Sequence, residues 1–341
     1  MKSSAFILGF IFAFLLKRGR FCFAGTIEDV VLEKHPYNLC LFISLVSTEA
    51  TLYHLMLVNG LLPPVVFKYF SLLATSLGGF IFGIGAVLCS GCITGQLIKV
   101  GDGRITGIIS SIFFMIGVAT ARGGALKGLS QFLFSQTLVQ DDLHGHLASL
   151  APILFGLLAL TSYAIMFWHV KREKSFPLPR RYACPVRHLF CEKLWKREIV
   201  AILLGLLLAM GFYFSNMTGR NDSFAITAPL TAIFSLLVNG KGTIDWAVIL
   251  VSGIVAGSVF TTCISGEFYL VSSSAISILK HIVGGFLMGL GAVWAGGCIV
   301  SNGLVGTAQL SLRACLAFSC MIGGIWLASL SLSTIPYRRK M

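Results

Sequence analysis

Sixteen residues of this chain occur twice, 206 positions apart and without a gap. Gly78 to Ile93 reads GGFIFGIGAVLCSGCI, and Gly284 to Ile299 reads GGFLMGLGAVWAGGCI. Ten of the sixteen positions are identical, and both copies end on Gly-Cys-Ile. Met115-Ile116-Gly117 falls on Met321-Ile322-Gly323 at the same spacing, so the sequence predicts two corresponding halves rather than a repeated motif. In a membrane chain, a repeat of this kind places a transport path at the interface between halves. The alternative is a duplication that only enlarged a helical bundle, and the matching Gly-Cys tips argue against it.

Composition fixes the solvent. Of 341 residues, 56% are hydrophobic and 11% charged, against about 25% charged in soluble domains, so the chain is expected in a bilayer. At about 20 residues per crossing, nine spans are predicted, near 5–16, 39–58, 67–88, 105–121, 150–170, 199–214, 246–262, 276–294 and 310–330. The first is short. Lys17, Arg18 and Arg20 follow it where a cleavage site would need small residues, so it does not read as a signal peptide. Most of the ten cysteines lie in apolar runs, where a thiol acts as a small hydrophobe, and no disulfide framework is expected.

The net charge of +13 does not point to nucleic acid, because the basic residues gather in one connector and at the C-terminus. Residues 171–197 hold nine Lys or Arg, which puts that connector in the cytoplasm by the positive-inside rule, and Arg338-Arg339-Lys340 puts the C-terminus there too. The predicted domains are a first membrane repeat over 1–170, a basic cytoplasmic connector over 171–198 and a second membrane repeat over 199–341. Five spans before the connector put the N-terminus outside, along with the loop 122–149 that carries Asp141 and Asp142. The halves are then inverted about an axis in the membrane plane. The fold class expected is an all-α polytopic membrane protein of about nine transmembrane helices plus re-entrant half-helices, with an hourglass-like outline.

Glycine density at the tips argues for breaks. Ser90-Gly91-Cys92 and Gly296-Gly297-Cys298 each follow an apolar run and make poor continuous helix. Non-helical backbone at membrane depth persists only where it is buried in protein or lines a cavity. Close helix packing through pairs such as Gly79 and Gly83 is the competing use of these glycines. A third cysteine, Cys22, stands in Arg18-Gly19-Arg20-Phe21-Cys22-Phe23, and its loose counterpart in Thr218-Gly219-Arg220-Asn221-Asp222-Ser223 is Ser223. Cys40, Cys315 and Cys320 sit in apolar runs and read as packing.

The segments RGRFCF, GIGAVLCSGCITG and GLGAVWAGGCIVSNGL, with LPRRYACPVRHLFCEKLWKRE, TGRNDSFAIT and SGEFYL, resemble the YeeE/YedE family of sulfur-compound membrane transporters, in particular its thiosulfate-uptake branch. The resemblance covers nearly the whole chain. It implies thiosulfate uptake across a bacterial inner membrane, with the ion handed along by three thiols that match Cys22, Cys92 and Cys298. Gly91, Gly297, Thr94 and Asn302 complete the predicted path, and a small TusA-type sulfur carrier in the cytoplasm is the partner it implies. A dianion needs its water replaced by fixed dipoles or charges, and half-helices beginning after Cys92 and Cys298 would aim N–H groups at the midplane. Thiols add weak donors and a polarizable surface suited to a soft sulfur.

Arg18, Arg20, Arg220, Lys99 and Lys241, with Arg104, are candidate vestibule cations that concentrate anions, though charges at span ends also snorkel to headgroups. Glu28, Asp29, Glu49 and Glu267 are out of place in an anion path and read as helix caps or proton carriers. Other readings stay open on the residues alone. Cys89-Ser90-Gly91-Cys92 is a C-x-x-C pair that could serve a membrane thiol oxidoreductase, but the second copy has Ala295 in place of Cys89. The cargo could be another small sulfur or selenium compound. Cys184, His188 and Cys191 lack the fourth ligand of a structural zinc site. No cofactor, metal or enzyme activity is expected, and no nucleotide-binding loop is present.

Overall fold

The computed structural model describes residues 2–32, 36–63, 69–140, 151–172, 195–220, 223–239, 244–266, 268 and 274–338. The charged bulk of the connector, the zinc-like trio at 184, 188 and 191, Asp141, Asp142, Lys241 and Glu267 lie outside these residues.

The chain is an all-α polytopic membrane protein. Its first half runs α1 (Lys2–Arg18), α2 (Phe23–Leu32), α3 (Pro36–Val58), α4 (Leu72–Leu88), α5 (Ile93–Gly101), α6 (Ile105–Arg122), a short α7 (Lys127–Ser135) and α8 (Ala151–Arg172). The second runs α9 (Arg197–Asn216), α10 (Thr227–Asn239), α11 (Trp246–Ser265), α12 (Ala275–Trp294), a π-helical segment (Val300–Gly306) and α13 (Leu312–Arg338). One antiparallel bridge, Phe70–Ser71 with Leu138–Val139, pins the loop after α7 to the start of α4. Each of the nine predicted spans coincides with a helix. Among the described residues, seven helical stretches are long and apolar enough to cross a membrane, α4 and α5 counting as one, while α1 and α8 fall short.

The halves pack in exchanged pairs. α1 lies on α11 as α9 lies on α3, α4 lies on α13 as α12 lies on α6, and α4 crosses α12 at the centre. α8 packs on α3 and has no counterpart in the second half among the described residues. In lipid, helices associate through close van der Waals contact rather than a hydrophobic drive, so crossings favour small residues. The central crossing follows this rule. A Cβ at Gly78 would stand 2.4 Å from Ala295 N, and one at its repeat mate Gly284 would stand 2.7 Å from Cys89 Sγ. Large apolar side chains such as Ile7, Leu77, Ile108, Leu157 and Leu327 point outward, as lipid-facing positions should.

The repeat changes register once. A Cβ at Gly117 would meet Phe286 O at 2.5 Å, and one at Gly324 would meet Phe80 O at 2.2 Å. Phe80 and Phe286 are 206 apart, but Gly117 and Gly324 are 207 apart. Backbone bonds locate the extra residue: Gln96 N–H to Cys92 O and Asn302 N–H to Cys298 O keep the spacing of 206, whereas Arg104 N–H to Lys99 O and Ser311 N–H to Gly306 O have moved to 207. The insertion therefore falls in the π segment, the form a helix takes when it absorbs one residue too many. This corrects the expectation drawn from Met321-Ile322-Gly323. Packing pairs Gly117 with Gly324, and no atom would meet a Cβ at Gly323 within 4 Å.

Candidate functional site

Cys22, Cys92 and Cys298 occupy the same local position. Each precedes a short helix and accepts its first backbone bond, from Thr26 N–H at 2.8 Å, Gln96 N–H at 3.0 Å and Asn302 N–H at 2.9 Å. Each is thus an N-cap, with the unpaired N–H groups of a first helical turn beside its thiol. The chain reverses before these turns through residues of positive φ: Arg20 (46°), Ser90 (50°) with Gly91 (140°), and Gly296 (73°). Lys99 Nζ reaches Cys89 O and Ser90 O at 3.0 Å each. A straight helix would carry Lys99 about 15 Å beyond Cys89, so α5 folds back at the break.

The three thiols converge. Cys92 has both Cys22 and Cys298 as neighbours, and Cys22 Sγ lies 3.5 Å from where a Cβ on Gly91 would stand and 3.9 Å from one on Gly95. Cys92 and Cys298 are buried at 1% and 0% exposure, while Cys22 is half-buried. The eight described cysteines are free thiols. Around them, Gln96 Oε1 and Asn302 Oδ1 are buried with no hydrogen-bond partner among the described residues, and Thr94 lies within hydrogen-bond reach of the Cys92 thiol. An unpaired buried polar group costs about 1–3 kcal/mol, so two amide oxygens left open beside the thiols suit a polar occupant.

Two cavities flank this centre. One, of about 540 Å³, touches Cys22 and Ser90 and carries Lys17, Arg20, Lys99 and Arg104 against Asp102. The other, of about 300 Å³, touches Gly296 and Gly297 and carries Arg122 and Arg313. Arg104 caps the start of α6 and Arg122 ends it, so the cavities open at opposite ends of a helix about 27 Å long, close to the thickness of a bilayer core. α6 begins at the first cavity, and its repeat mate α13 begins at the second.

The predicted vestibule residues have different fates. Arg20, Lys99 and Arg104 line the larger cavity. Arg18 lines neither cavity and is buried at 4% exposure, over the Phe14 ring and donating to Ser265 Oγ at 2.6 Å. Arg220 stands 3.9 Å from Asp245 at a half-exposed rim. Gly91 and Gly297 lie in the tips. Ser223, the loose sequence counterpart of Cys22, donates to Leu208 O at 2.8 Å and is fixed against α9, and the residue that accepts the first bond of α10 is Ile226. Glu28 accepts from Ser329 at 3.1 Å and Asp29 from Asn38 at 3.1 Å, tying α2 to α13 and α3. Glu49 is fully buried within α3. Cys89 turns away from the thiols, with Sγ 3.6 Å from His281 O and 3.5 Å from Ser110 Oγ, so it packs the central crossing. Gln96, Arg122 and Arg313 were not anticipated. Gln96 had one visible signal, an amide kept at the same repeat position as Asn302.

Two cationic cavities at opposite ends of α6, with a buried polar centre between the tips, are the architecture of a transport protein. A sequence profile described as sulphur transport matches residues 18–327, and the chain belongs to that family, also called YeeE/YedE. It is 33% identical to the thiosulfate transporter TsuA of Escherichia coli K12, over 99% of this chain and 97% of that protein. It is 29% identical to the thiosulfate transporter TsuA of Spirochaeta thermophila, over 98% of each.

Proposed function

We propose that this protein is a thiosulfate uptake transporter of a bacterial inner membrane, built from inverted repeats, in which Cys22, Cys92 and Cys298 hand the anion through the constriction. The observation that carries the reading is the gathering of three N-capping thiols and two unpartnered amide oxygens between two cationic cavities. Function and substrate class follow the two relatives, both transporters rather than enzymes. The sidedness rests on charge. Trp195 N–H, at the end of the basic connector, donates to Arg18 O, which supports reading the Lys99 cavity as the one on the connector's side, the cytoplasmic side by the positive-inside rule. The Arg313 cavity then faces outward, and α6 and α13 begin on opposite faces.

Thiosulfate would be drawn into the outer cavity by Arg122 and Arg313 and pass Gly296 and Gly297 to Cys298. Three helix N-termini replace part of its hydration, and the thiols supply weak S–H donors with a soft surface for the terminal sulfur. Among the described residues no arginine stands at the thiols, so release stays fast. From Cys92 the ion moves to Cys22 and the cytoplasmic cavity, where a TusA-type sulfur carrier is the proposed recipient. Membrane redox chemistry on Cys89 and Cys92 is disfavoured, since Cys89 sits in the helix crossing. A host lacking sulfate uptake, grown with thiosulfate as its only sulfur source, tests the reading. The native chain is expected to restore growth, and Cys92→Ala and Cys298→Ala to abolish it. Native-like growth of both variants would refute the relay.

A further inference from the structure

The carbonyl ends of the two long tip helices are held in the same way, each by an amide and a cation. In the first half, Cys89 O accepts from Gln96 Nε2 at 2.9 Å and from Lys99 Nζ at 3.0 Å. In the second, Ala295 O, 206 positions later, accepts from Asn302 Nδ2 at 3.4 Å and from Arg313 Nη1 at 3.0 Å. The two amides are repeat mates. The two cations are not, because the packing equivalent of Lys99 is Gly306 and that of Arg313 is Thr106. Duplication therefore does not explain why each half brings a cation to the same carbonyl.

Electrostatics does. A helix C-terminus carries about half a negative charge, and each of these ends lies three residues before an N-cap cysteine. A dianion approaching the thiols meets that negative end unless a donor covers it. Each carbonyl has two donors, one neutral and one charged, and each cation also lines one of the two cavities. A cation that leaves the carbonyl for an anion does not expose it, since the amide stays.

We propose that Lys99 and Arg313 are the paired gate cations of the path. Without an anion each rests on its tip carbonyl. When an anion occupies its cavity, the cation swings to it while Gln96 or Asn302 keeps the carbonyl covered. Arg313 then governs capture from one face and Lys99 release at the other, an assignment that rests on the thiosulfate reading above.

Initial rates of radiolabelled thiosulfate uptake into right-side-out and inverted membrane vesicles test this, normalised to the amount of protein in the membrane. In right-side-out vesicles Arg313→Gln is expected to raise KM about tenfold at near-native maximal rate, as loss of one charge-assisted contact does. Lys99→Met is expected to lower the maximal rate about tenfold with KM little changed. In inverted vesicles the two effects exchange. Arg313→Lys and Lys99→Arg are expected to recover most of the loss. A purely structural role would lower the maximal rate alike in both orientations and leave KM unmoved, and that result overturns the gate. Failure of the conservative variants to recover any function does the same. If the native chain takes up no thiosulfate, the substrate reading itself is wrong and the gate falls with it.

Discussion

The two halves agree at the tips and differ around them. Both break a glycine-rich helix, cap the next helix with a buried cysteine and hold the preceding carbonyl with an amide. The surroundings reach this end by different means. The first half turns through Ser90, the second through Gly296. The first puts a thiol before its earlier short helix, whereas the second puts the buried Ile226 there. The first follows its tip with an ordinary helix, the second with a π segment. What stays constant is the local geometry at the anion's path. The packing around it is free to drift provided each drift is absorbed nearby, as the π segment absorbs one residue before α13 begins.

That comparison can be broken most severely at the π segment. Deleting one residue between Asn302 and Gly306 would restore the spacing of 206 and turn α13 by about 100°, lifting Gly324 off Phe80 O. Loss of folded protein in detergent, read by size-exclusion profile, is the expected outcome, while normal assembly would show that the inserted residue has no packing role. Gly296→Ala comes next. The backbone there has φ 73° and a Cβ would stand 1.8 Å from Arg313 Nη1, so left-handed strain of about 1–2 kcal/mol is joined by eviction of the guanidinium. Uptake should fall at least tenfold, whereas Ser90→Ala, at the mate position with φ 50°, should leave uptake within about twofold of native because its turn already carries a side chain. Equal loss in both would erase the asymmetry. Cys89→Ala, which installs the residue of the second half, is expected to lower the melting temperature modestly, by about 1–2 kcal/mol of packing, and to spare growth on thiosulfate. Complete loss of growth would return Cys89 to the path. The smallest effect should come from Arg220→Ala. Its pairing with Asp245 is long and half-exposed, close to the kind that contributes about 0–1 kcal/mol, and a large loss of thermal stability would contradict the geometry.

Helix positions were legible in the sequence because apolar length alone defines them, and the tips because glycine runs and the repeated Gly-Cys-Ile coincide. Charge at span ends was ambiguous. Arg18 and Arg20 read alike, yet the end of α1 buries Arg18 against Phe14 and Ser265, and the positive φ of Arg20 turns the chain toward Cys22. Arg313 gave no signal, since its partner is a backbone carbonyl eighteen residues earlier. The register shift was hidden for a related reason. Met-Ile-Gly matches at 206, but the contact that matters is glycine against carbonyl, and it pairs Gly117 with Gly324.

The central claim is that Cys22, Cys92 and Cys298 ring the route of the anion. Modification of the purified protein by a small charged thiol reagent, followed residue by residue by mass spectrometry, examines this directly. Thiosulfate is expected to slow labelling of Cys22, Cys92 and Cys298 while leaving the exposed Cys263 unaffected. Unchanged labelling of Cys92 and Cys298 at saturating thiosulfate would contradict the account.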